Sequence, residues 1–159
     1  MAFDASQWMT PTGSSAYTIN NSVRFDEART SSLALTPGTA GNRQKFTFST
    51  WVKFNQASND NCLLHARADA NDRLLFGQSS DYLFCNFLVG GTEKFIRTNA
   101  IYRDYNNWYH IVFRVDTTAG TQTDRMRIYV NGVFQTLHTG QMPTQNWSLA
   151  VSNTVAHKI

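Results

Sequence analysis

Apolar and polar residues alternate most cleanly over Trp108-Tyr109-His110-Ile111-Val112-Phe113-Arg114-Val115-Asp116 and again over Arg125-Met126-Arg127-Ile128-Tyr129-Val130. Tyr109, Ile111, Phe113 and Val115 fall on one face of the first run, and Met126, Ile128 and Val130 on one face of the second, the period-two pattern of half-buried strands. Asn131-Gly132 then reads as a two-residue hairpin turn, because both residues tolerate positive φ, and Val133-Phe134 opens the return strand. The implied structure is an antiparallel sheet.

The same period extends through the chain. Short strands are expected at Val23–Phe25, Ser32–Leu35, Cys62–His65, Arg73–Phe76, Tyr82–Val89 and Lys94–Thr98, with Gly90-Gly91 turning between the last two. The run Lys45–Phe54 places Phe46, Phe48, Val52 and Phe54 on one face and Trp51 on the other, which predicts a central strand covered on both sides. The expected core is Phe46, Phe48, Val52, Tyr109, Ile111, Phe113, Val115, Ile128 and Val130. No run of 3.6-residue period persists for three turns, and no internal repeat is visible. Regular short strands between polar turns point to an all-β sandwich.

Two segments carry a family likeness. A strand written Trp108-Tyr109-His110-Ile111, then one written Arg127-Ile128-Tyr129-Val130-Asn131-Gly132-Val133, resembles the laminin G-like or concanavalin A-like jelly roll, a sandwich of two antiparallel sheets. Ser22–Phe25, Ser32–Pro37, Ala40–Arg43, Phe46–Lys53 and Asn153–His157 further resemble the version of this domain found in structural proteins of tailed bacteriophages. The likeness covers about Ser22 to Ile159, and its motifs speak for a fold rather than for catalysis. It implies a virion structural protein, in a tail fibre, tail tip or capsid decoration. In proteins of this type further strands follow the Asn153–His157 motif. Either the last strands therefore lie outside this sequence or another chain completes the sandwich, since open sheet edges are normally met by something.

Composition narrows the alternatives. The 159 residues suit one domain, and 42% hydrophobic with 13% aromatic residues suffices for a core. Only 16% are charged, so the polar surface rests on Asn, Thr, Ser and Gln, which suits assemblies and sugar contacts. A net charge of +3 with dispersed arginines gives no footprint for nucleic acid. Residues 1–19, with Pro11, Gly13 and isolated Phe3, Trp8 and Tyr17, read as an amino-terminal arm ahead of a sandwich over residues 20–159. The start has neither the charged leader nor the apolar core of a signal peptide, and no stretch is apolar enough to span a membrane. The expectation is synthesis in a host cytoplasm and residence in the virion. Cys62 and Cys85 are then expected as thiols, and the sequons at Asn20 and Asn146 carry little weight.

No catalytic signature appears. Glucanases of this architecture need acids spaced Glu-x-Asp-x-x-Glu along a strand, whereas Glu27 and Glu93 lie in unrelated segments. There is no Gly-x-Ser-x-Gly elbow. His110 and His157 are expected as structural histidines, and His65 and His138 have no partner motif. The loop Asp69-Ala70-Asn71-Asp72 offers Asp69 and Asp72 as oxygen donors for Ca2+, and Asn59-Asp60-Asn61 offers others, without the ordered spacing of a calcium loop. Solvated turns are the expected reading.

Sugar recognition needs an exposed ring to stack on a pyranose and planar amides or carboxylates for its hydroxyls. Asp104-Tyr105-Asn106-Asn107 and Gln145-Asn146-Trp147 combine them in loops, against the plainer reading that Tyr105 and Trp147 cap the core. The chain is thus expected to be a non-enzymatic virion protein that contacts other virion proteins as a homo-oligomer, with host-surface glycan as a further partner. The alternative is a free carbohydrate-binding module or lectin. Contacts with another chain are expected from residues 1–19 or from the edge near Val155–Ile159.

Overall fold

The computed structural model describes Phe25 and residues 31–54, 61–105, 107–138 and 141–159. The chain divides into two compact units, Met1–Ser31 and Ser32–Ile159, and the second holds every element named below. The strand expected at Val23–Phe25 lies mostly outside the described residues, as does Glu27.

Among the described residues ten strands form two antiparallel sheets, the all-β sandwich that the alternation implies and the jelly-roll arrangement that the family likeness implies. They are β1 (Ala34–Leu35), β2 (Lys45–Val52), β3 (Asn61–Arg67), β4 (Arg73–Ser79), β5 (Tyr82–Val89), β6 (Thr92–Ile101), β7 (Tyr109–Asp116), β8 (Met126–Val130), β9 (Val133–Phe134) and β10 (His157–Lys158). The larger sheet has the order β1-β10-β3-β4-β5-β6 and the smaller β2-β7-β8-β9. A 3-10 turn at Gln122–Asp124 precedes β8.

Turn chemistry sets the hairpins. Asn131 and Gly132 both have positive φ (50° and 79°), and so do Gly90 and Gly91 (54° and 76°), which matches the right-handed twist of the strands they join. A third such turn uses Ser80 and Asp81 (φ 48° and 67°), two residues without the glycine that flags such turns in a sequence. Between β3 and β4 the register slips at Cys62/Leu64, and Gly77 sits against that bulge. A Cβ on Gly77 would lie 2.4 Å from the Asn61 carbonyl oxygen, so only glycine fits.

The core lies between the sheets. Phe113 of β7 stacks on Phe76 of β4 with ring centroids 4.2 Å apart, and Phe87 meets Phe76 edge-on at 6.4 Å. Ile111, Val115, Met126, Ile128 and Val130 from the smaller sheet face Leu74, Leu83, Cys85 and Ile96 from the larger, and all are buried. The expected faces of β7 and β8 are therefore correct.

Two expectations fail. The Lys45–Phe54 run is not covered on both faces: among the described residues β2 pairs with β7 alone, at the edge of the smaller sheet. Phe46, Phe48 and Val52 are consequently only half-buried, and Trp51 on the opposite face is 60% exposed. Period-two alternation reports which face turns inward, not whether both flanks of a strand are paired. The segment at Val155–Ile159 is not an open edge either. β10 pairs with β1 on one side and β3 on the other, and Leu33 and Ile159 exchange two 3.0 Å backbone bonds beyond it. The two residues of β10 carry too little pattern to be read in advance.

Phe113→Ala is expected to destabilise the domain by about 3–5 kcal/mol, the range for a large-to-small change at a closed core position. Comparing melting curves of the variant and the parent chain tests the inward assignment of this face.

Candidate functional site

The carbohydrate candidates of the sequence fall into two separate loops. Tyr105 lies between β6 and β7, where its hydroxyl donates to Asp81 Oδ1 at 2.6 Å while the Arg103 guanidinium bridges Asp81 Oδ2 at 2.9 Å. The Tyr102 amide donates to the Asp81 carbonyl at 2.8 Å, so the left-handed turn at Asp81 anchors this loop. The hydrogen bond from its hydroxyl to the Asp81 carboxylate raises the Tyr105 phenol above its ordinary range. The Asp104 amide donates to the Tyr109 hydroxyl (3.2 Å), and the Asn107 side chain donates to the Asp104 carboxylate. Asn106 lies outside the described residues.

Asn146 and Trp147 sit elsewhere. The Asn146 amide donates to the Thr117 carbonyl (2.8 Å), the Thr117 hydroxyl donates to the Trp147 carbonyl (2.8 Å), and the Gln44 side chain donates to the Asn146 carbonyl (2.9 Å). Thr117 follows the last residue of β7, whereas Tyr109 begins it. Eight residues of strand separate the loops by roughly 25 Å, so they cannot form one site. Both rings also pack against the core as partly buried side chains, which leaves less of each face for a ligand.

A third aromatic group was not singled out in the sequence. On the outer face of the smaller sheet, Trp51 of β2 stacks on His110 of β7 with ring centroids 5.0 Å apart and planes 25° from parallel. His110 is fixed from several sides: Ser49 Oγ lies 2.9 Å from its Nε2, its amide donates to Asn131 Oδ1 (2.9 Å), and its carbonyl accepts from the Asn131 amide (2.8 Å). Two residues ahead of it, Trp108 is 58% exposed. The signal was present in the alternation, because Trp51 falls on the face opposite Phe46 and Phe48. It was masked by the assumption that both faces were covered. Farther along this face Lys45, Thr47, Arg114 and Asp116 line a shallow open recess of about 330 Å³, bridged by Lys45 and Asp116 at 3.3 Å.

The remaining polar candidates are engaged in structure. Asp69 Oδ1 accepts from the amides of Asn71 (2.6 Å) and Asp72 (2.9 Å), and Asp72 Oδ1 accepts from the Gly90 amide (3.0 Å). Among the described residues no three His, Cys, Asp or Glu side chains converge as a metal site would require. Asn59 and Asp60 lie outside the described residues, and the Asn61 side chain donates to Gln78 Oε1 at 2.8 Å. Glu93 is bound by the Asn86 side chain (2.6 Å) and by Arg73 (3.1 Å), which lower its carboxyl below the ordinary range and hold it as an ionised acceptor. His157 receives the Ser152 amide at Nε2 (2.9 Å) and its Nδ1 lies 2.8 Å from the Val155 carbonyl, a structural role. Cys62 and Cys85 are free thiols, and burial pushes the Cys85 thiol well up.

Comparison with known proteins gives the family. Residues 25–155 match the laminin G family of the concanavalin A-like lectin/glucanases superfamily, most of the chain. The chain belongs to that family. Among solved structures, this laminin G-like domain is similar to a native heptameric SAP-like pentraxin from Limulus polyphemus, at 15% identity and a TM-score of 0.43. The alignment covers 80% of this chain and 65% of the pentraxin, so the chain spans less than two thirds of that protein's length. No curated protein matches the chain. Among the described residues no helix is long and apolar enough to cross a membrane.

Acid should weaken the domain in two stages. Burial, and then the charges of Arg67, Lys158 and Arg73, lower the His65 imidazole, so the unfolded chain binds its proton more readily and stability falls as pH drops below about 6.5. Glu93 is lowered mainly by Asn86, and Asp116 mainly by the Thr118 hydroxyl. Their contributions are present above the ordinary carboxylate range and vanish as pH falls through it and below. Melting temperature against pH is expected to decline through both windows, and His65→Gln should flatten the upper one.

Proposed function

We propose that this laminin G-like domain is a non-enzymatic part of a tailed-bacteriophage virion, in a tail fibre, tail tip or capsid decoration, which serves assembly and attachment to host-surface glycan. It is made in the host cytoplasm and works in multiple copies. The phage assignment is supported by the motifs from Ser22 to Ile159, and the lectin-like character by the family. The observation that carries glycan attachment is the exposed Trp51 ring, held by stacking on His110, with Trp108 nearby. An indole whose orientation is fixed before binding loses little entropy on meeting the apolar face of a sugar, while Ser49 and Asn131 put polar groups beside it. The loops at Asp104–Asn107 and at Asn146-Trp147 remain secondary contact points, each acting separately. The second reading, a free carbohydrate-binding module, uses the same rings without a particle.

Affinity per site is expected in the millimolar to micromolar range, with avidity from repeated copies. Host surface polysaccharide titrated against the parent, Trp51→Ala and Trp147→Ala chains tests the site. Trp51→Ala should weaken binding about tenfold, or about 1.4 kcal/mol, and Trp147→Ala less. Equal binding by the parent and Trp51→Ala would remove this ring from the site. No reducing sugar is expected on incubation with β-glucan, because Glu93 is held ionised by Asn86 and Arg73 and has no acid partner in its strand. Release that disappears in Glu93→Gln would make the domain a hydrolase.

A further inference from the structure

Cations that are dispersed along the sequence are gathered by strand register on the larger sheet. Its inward rows run through Ala66, Leu74 and Phe87 and through Leu64, Phe76 and Cys85, all buried. The alternate rows face outward. Arg67, Arg73 and Glu93 share one of them, and Lys158, His65 and Phe95 the next. Phe84 and Arg97 stand opposite each other in a third. Lys158, Arg67, Arg73 and Arg97 thus put one cation on each of four strands, β10, β3, β4 and β6, against Glu93 as the carboxylate of this face among the described residues. The face carries a formal +3, the net charge of the whole chain, with only four of its 14 Lys and Arg residues.

These charges lack nearby partners. Arg73 meets Glu93, and Arg67 spends its Nε on the Asp69 carbonyl (2.9 Å), which leaves its charge uncompensated. The Asp69 and Asp72 carboxylates lie in the turn beyond the end of the face and accept backbone amides. Burial, and then the charges of Arg67, Lys158 and Arg73, hold the His65 imidazole below its ordinary range, with no carboxylate acting the other way. The outer face of the smaller sheet differs, because Lys45 and Arg114 there share Asp116 and Arg127 meets Asp124. Beside the cations stands a ring fixed in advance. Phe95, 45% exposed, stacks on Phe84 with centroids 5.6 Å apart and planes 25° from parallel, and Phe84 in turn lies against Gly77, where a Cβ would come within 3.1 Å of its Cε1.

We infer that the outer face of the larger sheet is a second binding site, for an acidic polysaccharide with about one carboxylate per sugar, whose charges meet Lys158, Arg67, Arg73 and Arg97 and one of whose rings lies on Phe95. That the polymer is a glycan rests on the lectin-like half of the function above; that it is anionic rests on this face alone. From Lys158 on β10 to Arg97 on β6 is four strand spacings, roughly 19 Å, too long for a single anion and suited to a chain running across the strands. Cations at this pitch match acids carried one to a sugar, far sparser than the one charge per about 1.7 Å of duplex DNA. The planar guanidinium of each arginine takes a carboxylate by its fork.

The test is titration of the 159-residue chain, at about 50 mM salt, with polygalacturonate, with the same polymer fully methyl-esterified, and with duplex DNA. Polygalacturonate is expected to bind, and the uncharged ester about tenfold more weakly. Replacing both Arg67 and Lys158 by Gln, two exposed side chains whose loss leaves the fold intact, should weaken polygalacturonate about tenfold, and Phe95→Ala about threefold. Arg114→Gln removes a cation from the opposite sheet and should leave binding unchanged. Affinity should rise about threefold from pH 7.5 to pH 5, as His65 gains a charge while Glu93 stays ionised, and His65→Gln should remove that rise. Equal binding of acid and ester overturns the inference, as do a loss in Arg114→Gln as large as in the double variant, an indifferent Phe95→Ala, or DNA bound as tightly as polygalacturonate. Host polysaccharide, titrated in parallel, separates the two readings: if it binds while polygalacturonate does not, this inference fails and the lectin-like reading stands.

Discussion

The stack of Phe113 on Phe76 is the contact that aligns the two sheets, because it joins the strand that carries the smaller sheet to a central strand of the larger one. β7 lies between β2 and β8 and registers with β2 over eight pairs from Lys45↔Asp116 to Val52↔Tyr109. Fixing Phe113 over Phe76 thus fixes where β2 ends the small sheet. The position of β2 in turn presents Trp51 at the rim. The exposed indole is a consequence of how far the small sheet reaches.

Much of the fold was legible because its signals are local. The alternation of Ile111, Phe113 and Val115 against Met126, Ile128 and Val130 gave the inward faces, and Asn131-Gly132 and Gly90-Gly91 gave turns with positive φ that the structure contains. What escaped depends on partners distant in sequence. Nothing in Lys45–Val52 tells an edge strand from a central one, since the inward residues are the same in both and only pairing differs. His157-Lys158 is too short to show a period, although it lies between β1 and β3. The Ser80-Asp81 turn lacks glycine, and its stability comes from Tyr102, Arg103 and Tyr105 gathering on Asp81.

The candidate site was less legible for the same reason. Tyr105 and Trp147 stood out in the sequence as aromatics within polar loops, but loop position does not fix exposure, and both rings lean on the core. Trp51 stood in a strand, where an aromatic residue is ordinarily read as packing. Its availability follows from long-range facts: His110 comes opposite it by register, and Ser49 and Asn131 hold that imidazole in place. The oxygen-rich turn at Asp69–Asp72 shows the converse. Its carboxylates answer backbone amides nearby, so apparent metal ligands are accounted for by the turn they stabilise.

Trp51 belongs at once to the outer face and to the edge of the smaller sheet. Its backbone points along the sheet, while its side chain stands perpendicular to the sheet against His110. A group that met the backbone would do so without crossing the ring. A backbone contact at the edge and a ring contact on the face are therefore sterically compatible in one domain, because the two use perpendicular directions of the same residue.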